Sequence, residues 1–219
     1  MNKVIQRMND GLFITFEGPD GNGKSTQIRL LKEYLEKKEL SVIVTREPGA
    51  LDIGKKIRDL LLNPVYKDQM TPEAELFLYE ADRALHTKNL IIPALKNGSI
   101  VISDRYYDST TAYQGVAGKI DLGLVLLCNK IASYGLIPDI TFYLHAELED
   151  IIEKTTTEEF GVADRLESKP DDEKQKRIDG FCALSTLEPE RIKLIKYIPD
   201  KIDAMQSEIR KYVDKILKS

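Results

Sequence analysis

Short apolar stretches alternate along the chain with longer segments of helical periodicity. The first apolar stretch, at 12–16, has a β-favouring composition and predicts a buried strand. The segment that follows, at 24–38, places Ile28, Leu31 and Leu35 on one stripe and predicts a helix. A strand that leads directly into a helix is the repeating unit of a parallel sheet.

The same periodicities continue to the end of the sequence. They predict further strands at 42–45, 99–103, 140–144 and 192–197. They predict further helices at 53–62, 71–84, 86–96, 121–134, 148–155, 171–187 and 202–216. No internal repeat or separating linker interrupts the alternation. We therefore expect one α/β domain over 1–219, with helices on both faces of a parallel sheet and ligands at the carboxyl ends of its strands.

The composition disfavours several classes of protein. The 219 residues are 42% hydrophobic and 31% charged, with a formal net charge of −4, which is the balance of a folded globular protein. This mild acidity disfavours nucleic acids and membrane surfaces as partners, because both attract basic proteins. Cys128 and Cys182 lack metal-ligand spacing, and the N-terminus lacks the apolar core of a signal peptide. We expect a cytoplasmic protein with no nucleic-acid and no membrane partner.

A glycine-rich segment, GPDGNGKS at 18–25, lies between the first predicted strand and the first predicted helix. It fits the pattern G-x-x-x-x-G-K-[ST], in which glycines allow successive backbone N–H groups to point at phosphate oxygens. We expect Lys24 to reach the β- and γ-phosphates of a nucleotide and Ser25 to ligate Mg²⁺. The residues predicted to bind the phosphates of the donor nucleotide are Gly18, Pro19, Asp20, Gly21, Asn22, Gly23, Lys24, Ser25 and Thr26.

Two charged residues, Asp104 and Arg105, follow the predicted strand at 99–103. A carboxylate at this edge of the sheet, beside the phosphate loop, is placed to hold Mg²⁺, and Arg105 is placed to meet an anionic ligand. The alternative is a structural ion pair between the two. The sequence has no N-K-x-D motif for a guanine base and is short for a motor ATPase. The pattern therefore favours a nucleotide-type kinase.

Six segments of the sequence carry a family resemblance. They are FITFEGPDGNGKSTQ (13–27), TREPGALDIGKKIRDLL (45–61), AELFLYEADR (74–83), IPALKNGSIVISDRYYDSTTAYQG (92–115), GLIPDITFYL (135–144) and DRLE (164–167). Together they resemble the thymidylate kinases of the bacterial type, because the combination of P-loop, REPG, DRY and AYQG motifs is far more specific than any one of them.

The resemblance implies a fold, an activity and an assembly. The fold is that of the P-loop NTPases, three layers of α/β/α with a parallel sheet of about five strands and a small lid at about 152–170. The activity is Mg²⁺-dependent transfer of the γ-phosphoryl group of ATP to thymidine monophosphate (dTMP). The assembly is a homodimer, for which the helices at 71–96 and 121–134 offer apolar residues.

By the same resemblance, several residues hold the sugar and phosphate of dTMP. Asp20 resembles the carboxylate that contacts the sugar 3′-hydroxyl, and Arg58 and Arg105 resemble the pair that grips the acceptor phosphate. Fixed cations suit this place because donor and acceptor are both anionic and repel each other. Pro48, in the REPG motif, belongs to the same predicted dTMP site.

The base of dTMP is assigned to two other segments. Tyr79 and Arg83 are four residues apart and share one helix face, where by resemblance Tyr79 stacks on thymine and Arg83 donates to a base carbonyl. Thr110 and Gln114, also one turn apart, complete the recognition of the base edge. Tyr113 resembles the residue that crowds the sugar 2′ position and disfavours ribonucleotides. Ordinary helix packing is the alternative for Tyr79 and Tyr113.

The sequence departs from the family at the cation that covers the transferring phosphate. Family members place this arginine in the P-loop or in the lid, and the P-loop position here is Asn22. Arg165 is the one arginine of the predicted lid, so we expect it to close over the phosphates; a solvated lid charge is the alternative. The predicted catalytic residues are therefore Lys24, Arg105, Arg165 and Asp20.

Two other functions remain open at this point. A related nucleotide or deoxynucleoside kinase with another acceptor would share the P-loop, but the pair of Arg58 and Arg105 favours an acceptor that already bears a phosphate. A P-loop binding module without catalysis would fit the arginine-poor lid. The set of Lys24, Ser25 and Asp104 opposes that second alternative.

Overall fold

The computed structural model describes residues 11–155, 170–199 and 201–218. At their centre lies a sheet of five parallel strands in the order β2-β3-β1-β4-β5. The strands are β1 (Phe13–Glu17), β2 (Val42–Arg46), β3 (Ile100–Asp104), β4 (Ile140–His145) and β5 (Ile192–Lys196). The predicted fold class, an α/β fold with a five-stranded parallel sheet, is confirmed.

Helices cover both faces of the sheet. They are α1 (Lys24–Glu36), α2 (Asp52–Leu62), α3 (Pro72–His86), α4 (Ile92–Lys96), α5 (Tyr107–Thr110), α6 (Leu122–Ala132), α7 (Leu148–Thr155), α8 (Asp171–Leu187) and α9 (Ile202–Leu217). A 3₁₀ turn covers Pro64–Tyr66, and π-helical turns cover Thr87–Ile91 and Thr111–Val116. Within the described ranges, none of the helices is long and apolar enough to cross a membrane.

The helix α3 begins where the sequence predicts, but it continues beyond its predicted end at residue 84. The Thr71 side chain accepts a hydrogen bond from the backbone N–H of Ala74 at 3.2 Å and caps the first turn. At its other end α3 continues through the π-helical turn into α4, so the two predicted helices form one helical segment. Pro93 explains the π-helical turn between them. Because proline has no N–H to donate to the carbonyl four residues earlier, the helix widens into a π-helical turn just before Pro93 instead of ending.

The two faces of the sheet bury separate apolar clusters. On one face Ile14 and Phe16 pack with Leu31 of α1 and Ile209 of α9, and all four are fully buried. On the other face Phe13 packs with residues of β3 and of the π-helical turn after α3. Burying a side chain of this size contributes about 1.5–3 kcal/mol. This packing fixes β1 between two helical layers and makes the phosphate loop that follows it a rigid part of the fold.

The strand order determines where a ligand can bind. The chain leaves β1 for β2 and β3 on one side, whereas β4 and β5 lie on the other side of β1. In sheets of this kind the crevice forms outside the carboxyl ends of the strands at such a switch point. The crevice therefore opens beyond Glu17 and Asp104, where β1 and β3 end.

Candidate active site

The loop between β1 and α1 has the conformation that its glycines allow. Gly18 has a φ of 130°, and a Cβ there would lie 2.4 Å from Nδ2 of Asn22 and 2.6 Å from the carbonyl oxygen of Leu144. Asn22 is itself buried, and its amide donates to that carbonyl of Leu144. Asn22 therefore anchors the loop to the end of β4, while Gly23 caps α1 in the left-handed conformation.

The ammonium group of Lys24 is buried inside this loop. It donates to the carbonyl oxygen of Gly18 at 3.0 Å and to that of Pro19, and it lies 3.4 Å from Oδ1 of Asp20. Burial, reinforced by the charge of Arg105, lowers the pKa of Lys24 from its usual value. An anionic ligand at the loop would offset both effects.

Arg105 connects the loop to the end of β3. Its Nη2 donates to Oδ1 of Asp20 at 3.0 Å, and its Nη1 donates to Oγ of Ser109 at 3.2 Å and to the hydroxyl of Tyr113 at 3.1 Å. Desolvation in the crevice opposes the charge of Asp20, but Arg105 and Lys24 hold the pKa of that carboxyl well below its usual range. The backbone of Arg105 has a φ of 70°, a strained conformation for a residue with a side chain.

Asp104 fits the role of a metal ligand. Its Oδ1 is buried and has no hydrogen-bond partner within the described ranges, whereas Arg105 pairs with Asp20 rather than with its neighbour. Ser25 presents an exposed hydroxyl in the first turn of α1. Carboxylate and hydroxyl oxygens are the hard donors that Mg²⁺ prefers. These two residues therefore suit the metal that the sequence predicts for them.

A cleft opens between the phosphate loop, α2, α3 and α8, and we call it the central cleft. All nine residues predicted to bind dTMP line it. They are Asp20, Pro48, Arg58, Tyr79, Arg83, Arg105, Thr110, Tyr113 and Gln114. The structure thus brings together residues that the sequence places in four separate motifs.

The guanidinium group of Arg83 is fixed before any ligand binds. It donates from Nε to Glu47 at 2.9 Å, from Nη1 to Glu80 at 2.6 Å and to Asn129 at 3.0 Å, and from Nη2 to Thr110 at 3.0 Å. Burial opposes its charge, but Glu80 and Glu47 raise the pKa of Arg83, so it stays ionised. The carboxylates also occupy donors that the sequence assigns to a base carbonyl.

Glu47 contacts His86 as well as Arg83. Its other oxygen lies 2.8 Å from Nδ1 of His86, whose Nε2 lies 2.7 Å from the hydroxyl of Thr45. The peptide bond between Glu47 and Pro48 is cis, and Nη1 of Arg58 donates to the carbonyl oxygen of Pro48 at 3.2 Å. The REPG turn therefore orients the guanidinium of Arg58 towards the central cleft.

The remaining predicted side chains also have partners in the protein. Nε2 of Gln114 donates to Glu75 at 2.7 Å. The ring of Tyr113 packs edge-on against Phe181, with 5.6 Å between ring centroids. Tyr79 is half-buried along the wall of the cleft. These contacts hold the side chains at the cleft wall, where a planar ligand would meet them.

Several residues of the site were not predicted from the sequence. Among them are Glu17, which supports the turn after β3, and three cations that line the central cleft, Arg46, Lys174 and Arg177. The basic run around Lys174 and Arg177 is visible in the sequence, but it follows three acids and is typical of a solvated helix end. The predicted catalytic Arg165 lies outside the described residues, as does most of the predicted lid.

The central cleft concentrates positive charge in an acidic protein. Among the described residues, six basic side chains line it against three carboxylates, whereas the chain as a whole has a net charge of −4. The basic residues are Arg46, Arg58, Arg83, Arg105, Lys174 and Arg177, and the carboxylates are Asp20, Glu47 and Asp104. Such a local field attracts anionic ligands and reduces the repulsion between them.

Comparison with known proteins agrees with this geometry. The chain is 41% identical over 202 residues to a thymidylate kinase from an Exiguobacterium species, covering 92% of this chain and 93% of that protein. It is 40% identical over 206 residues to a thymidylate kinase from Gloeobacter violaceus, covering 94% and 96% of the two chains. The crystal structure of a thymidylate kinase from Ehrlichia chaffeensis matches with a TM-score of 0.74 and 32% identity, over 94% of this chain and 99% of that one.

A family model matches most of the chain. The model described as thymidylate kinase matches residues 16–209, from the end of β1 into α9. That span includes the phosphate loop and every described wall of the central cleft. The chain belongs to the thymidylate kinase family.

Proposed function

We propose that this chain transfers the γ-phosphoryl group of ATP to dTMP, giving ADP and dTDP. The observation that carries the proposal is the position of Arg105, which bonds to Asp20 of the phosphate loop and also lines the cleft of the predicted acceptor residues. A donor at the loop and an acceptor in the cleft would therefore meet at one guanidinium. Family membership and relatives named thymidylate kinase support the same activity.

The donor is held by the loop and by Lys24. Backbone N–H groups of the glycine-rich turn bind the β- and γ-phosphates, and the Lys24 ammonium exchanges the carbonyl oxygens of Gly18 and Pro19 for phosphate oxygens. Ser25 and Asp104 would hold Mg²⁺, which when bound neutralises negative charge on the β- and γ-phosphates. Asn22 keeps the loop against β4 throughout.

The acceptor is held by arginines at its phosphate and by α3 at its base. Arg58 and Arg105 bind the 5′-phosphate, one of whose oxygens attacks the γ-phosphorus of ATP. The bond to that oxygen forms, the bond from the γ-phosphorus to the β–γ bridging oxygen breaks, and ADP leaves with the electron pair. Tyr79 stacks on thymine, and Arg83 donates to a carbonyl of the base from the second N–H of Nη2, the nitrogen that also donates to Thr110.

The rest of the acceptor site selects the sugar and the base edge. Thr110 and Gln114 face the edge of the base, Tyr113 crowds the 2′ position of the sugar, and Asp20 accepts from the 3′-hydroxyl. The predicted lid at 152–170 would close over both substrates and carry Arg165 to the phosphates. This assignment is made from sequence, since residues 156–169 lie outside the described ranges.

An ADP-release assay with a panel of acceptors tests the proposed function. With ATP and Mg²⁺, we expect ADP formation to have its highest kcat/KM with dTMP, compared with dUMP, dCMP, dGMP and thymidine. Thymidine lacks the phosphate that Arg58 and Arg105 grip, so it is the matched control for the acceptor site. A higher kcat/KM with another acceptor, or no ADP formation with any of them, would contradict the proposal.

We further propose that the chain forms a homodimer in the cytoplasm. In α6, Leu124, Leu127 and Ile131 are all exposed, and Phe77 is exposed on α3, which packs against α6. An exposed apolar face of this kind is typical of a subunit interface. Sedimentation at micromolar concentration should give a dimer that Leu127→Glu converts to a monomer, and a wild-type monomer would contradict the proposal.

The proposed location in the cytoplasm is supported by the cysteines. Cys128 and Cys182 are both free thiols, which is typical of proteins in a reducing compartment.

A further inference from the structure

Two arginines meet on the ring of Tyr113. The guanidinium carbon of Arg177 lies 4.7 Å from the ring centroid, and that of Arg105 lies 5.6 Å from the same centroid. Both arginines line the central cleft. An aromatic face attracts each cation, but the two guanidinium groups repel each other. An anionic group bound beside both of them would remove that repulsion.

Arg177 stands on a rigid element. Its neighbours Ile178 and Phe181 are buried, and α8 approaches the π-helical turn so closely that a Cβ on Gly180 would lie 3.2 Å from the carbonyl oxygen of Ala112. The helix α8 starts at Asp171, directly after the predicted lid. Arg177 therefore lines the cleft from a helix that is held in place by its own packing.

We propose that Arg177 is a catalytic residue that contacts the phosphoryl group in transit between ATP and dTMP, an inference that rests on the proposed function. In the transfer step the γ-phosphorus leaves the β–γ bridging oxygen and bonds to the acceptor phosphate, and negative charge spreads over its three equatorial oxygens. Lys24 approaches these oxygens from the loop, and Arg58 and Arg105 approach from the acceptor. Arg177 supplies the cation on the remaining side.

The chemistry of this chain favours arginine for the role. A planar guanidinium can stack on Tyr113 with one face and donate to phosphate oxygens with its edge, which an ammonium cannot do. The predicted lid contains a single arginine, Arg165, so a cation from α8 makes up for the small number in the lid. Lys174, one turn earlier, pairs with Asp171 at 3.2 Å and is the poorer candidate.

The variant Arg177→Gln tests the proposal, with Lys176→Gln as its matched control. Lys176 is on the same helix, its side chain is 57% exposed, and it pairs with Asp172 rather than lining the cleft. We expect kcat to fall about 100-fold in Arg177→Gln, with KM for ATP and for dTMP within about threefold of wild type. The control should keep the wild-type kcat.

Binding measurements separate a phosphate contact from a role in holding Tyr113. The probes are thymidine, which has no phosphate, and a bisubstrate analogue in which a chain of phosphates joins adenosine to thymidine. Arg177→Gln should weaken the analogue at least about tenfold and leave thymidine binding unchanged, because only the first ligand presents phosphate oxygens to Arg177. Equal weakening of both ligands would show that Arg177 only positions Tyr113, and would overturn the proposal.

The kinetic outcomes also distinguish this inference from the proposed function. A wild-type enzyme that phosphorylates dTMP, together with an Arg177→Gln variant whose kcat lies within about threefold of wild type, would overturn the inference alone. A wild-type chain without ATP-dependent activity on any nucleoside monophosphate would overturn the proposed function first. An equal loss of kcat in Lys176→Gln would overturn the inference as well, since it would assign the effect to α8 in general.

Discussion

Glu17, the last residue of β1, accepts the backbone N–H of Tyr106 at 2.8 Å. Its second carboxyl oxygen accepts the hydroxyl proton of Ser109, which in turn accepts a hydrogen bond from Nη1 of Arg105. The carboxyl group therefore fastens the turn in which Arg105 has its strained positive φ. A buried acid at the end of a core strand thus supports the arginine that joins the two halves of the site.

The burial of Glu17 predicts a pH-dependent stability. Burial, reinforced by the neighbouring charge of Asp108 and opposed by Arg105, raises the pKa of Glu17 to about 8. Between the unfolded pKa of 4.5 and this value the folded state binds more protons than the unfolded state, so the free energy of unfolding falls as pH rises. We expect this loss to be on the order of 1 kcal/mol per pH unit and to end near pH 8.

Urea denaturation of Glu17→Gln at pH 5.5, 7 and 8.5 measures this contribution. The variant removes the titrating group, so the stability of wild type relative to the variant should decrease steadily with pH. Burial raises the pKa of Asp82 to about 6, but Asp82 titrates in both proteins, so its contribution cancels in the difference between them. The control Glu33→Gln, at an exposed residue of α1, should follow the wild-type profile. A pH-independent difference between wild type and Glu17→Gln would contradict the expectation.

Lys24→Ala should abolish turnover without unfolding the protein. The ammonium bonds to loop carbonyls, so its loss removes charge from the donor phosphates and deletes no member of the apolar clusters. We expect kcat to fall by at least about 10³-fold while the melting temperature changes little. Lys32→Ala, at a half-buried lysine of the same helix that pairs with Glu36, is the control and should keep full activity. Near wild-type ADP formation by Lys24→Ala would contradict the P-loop assignment.

Asp104→Asn should weaken the response to Mg²⁺. The buried Oδ1 of Asp104 has no partner among the described residues, so the exchange removes a negative charge that would attract a metal and breaks no protein contact at that atom. We expect the Mg²⁺ concentration for half-maximal rate, and for half-maximal ATP binding, to rise about tenfold. Asp52→Asn, at a residue 98% exposed on α2, should change neither. An unchanged Mg²⁺ titration in Asp104→Asn would remove this residue from the metal site.

Much of the fold and of the site follows from local sequence signals. The period of the apolar residues identifies strands and helices because each element buries one face or both. The glycines at Gly18 and Gly23 are needed for conformations that other residues resist, so the phosphate loop is recognisable from sequence alone. The acceptor residues were found through motifs of the family, and the central cleft collects all of them.

The parts that the sequence did not predict depend on contacts between distant segments. The sequence places Glu47 in a turn, and only the approach of α3 to that turn makes it a partner of both Arg83 and His86. Arg177 reads as one charge in a polar helix end, and only the approach of Gly180 to Ala112 brings it over Tyr113. No local pattern encodes such approaches, because they depend on how complete elements pack.

Arg165→Ala tests the predicted lid. If Arg165 closes over the phosphates when both substrates are bound, its loss should lower kcat by about 10³-fold and change KM values little, as for arginine fingers in related chemistry. Lys169→Ala, in the same segment, is the control and should have a small effect. A single-turnover rate for Arg165→Ala within about threefold of wild type, less than about 0.7 kcal/mol of barrier, would assign Arg165 to the solvated surface.

Arg83→Ala should act on stability and on dTMP binding at once. It leaves the carboxylates Glu47 and Glu80 buried without their cation, and breaking a buried pair in this way costs about 3–5 kcal/mol of unfolding free energy. Arg191→Ala is the control, since Arg191 also forms a buried pair, with Asp108 at 2.6 Å, but does not line the central cleft. Both variants should therefore lose stability to a similar extent.

Kinetics of the folded fraction separate the role of Arg83 in binding from its role in stability. At a temperature where both variants are folded, Arg83→Ala should raise KM for dTMP at least about tenfold more than KM for ATP, because a site built around a hydrogen bond to the base loses affinity when the donor is removed. Arg191→Ala should leave the ratio of the two KM values unchanged, since its loss removes no contact in the cleft. If both variants raised the two KM values equally, Arg83 would be a structural residue that holds α3 to the REPG turn, and recognition of the base would rest on Thr110 and Gln114.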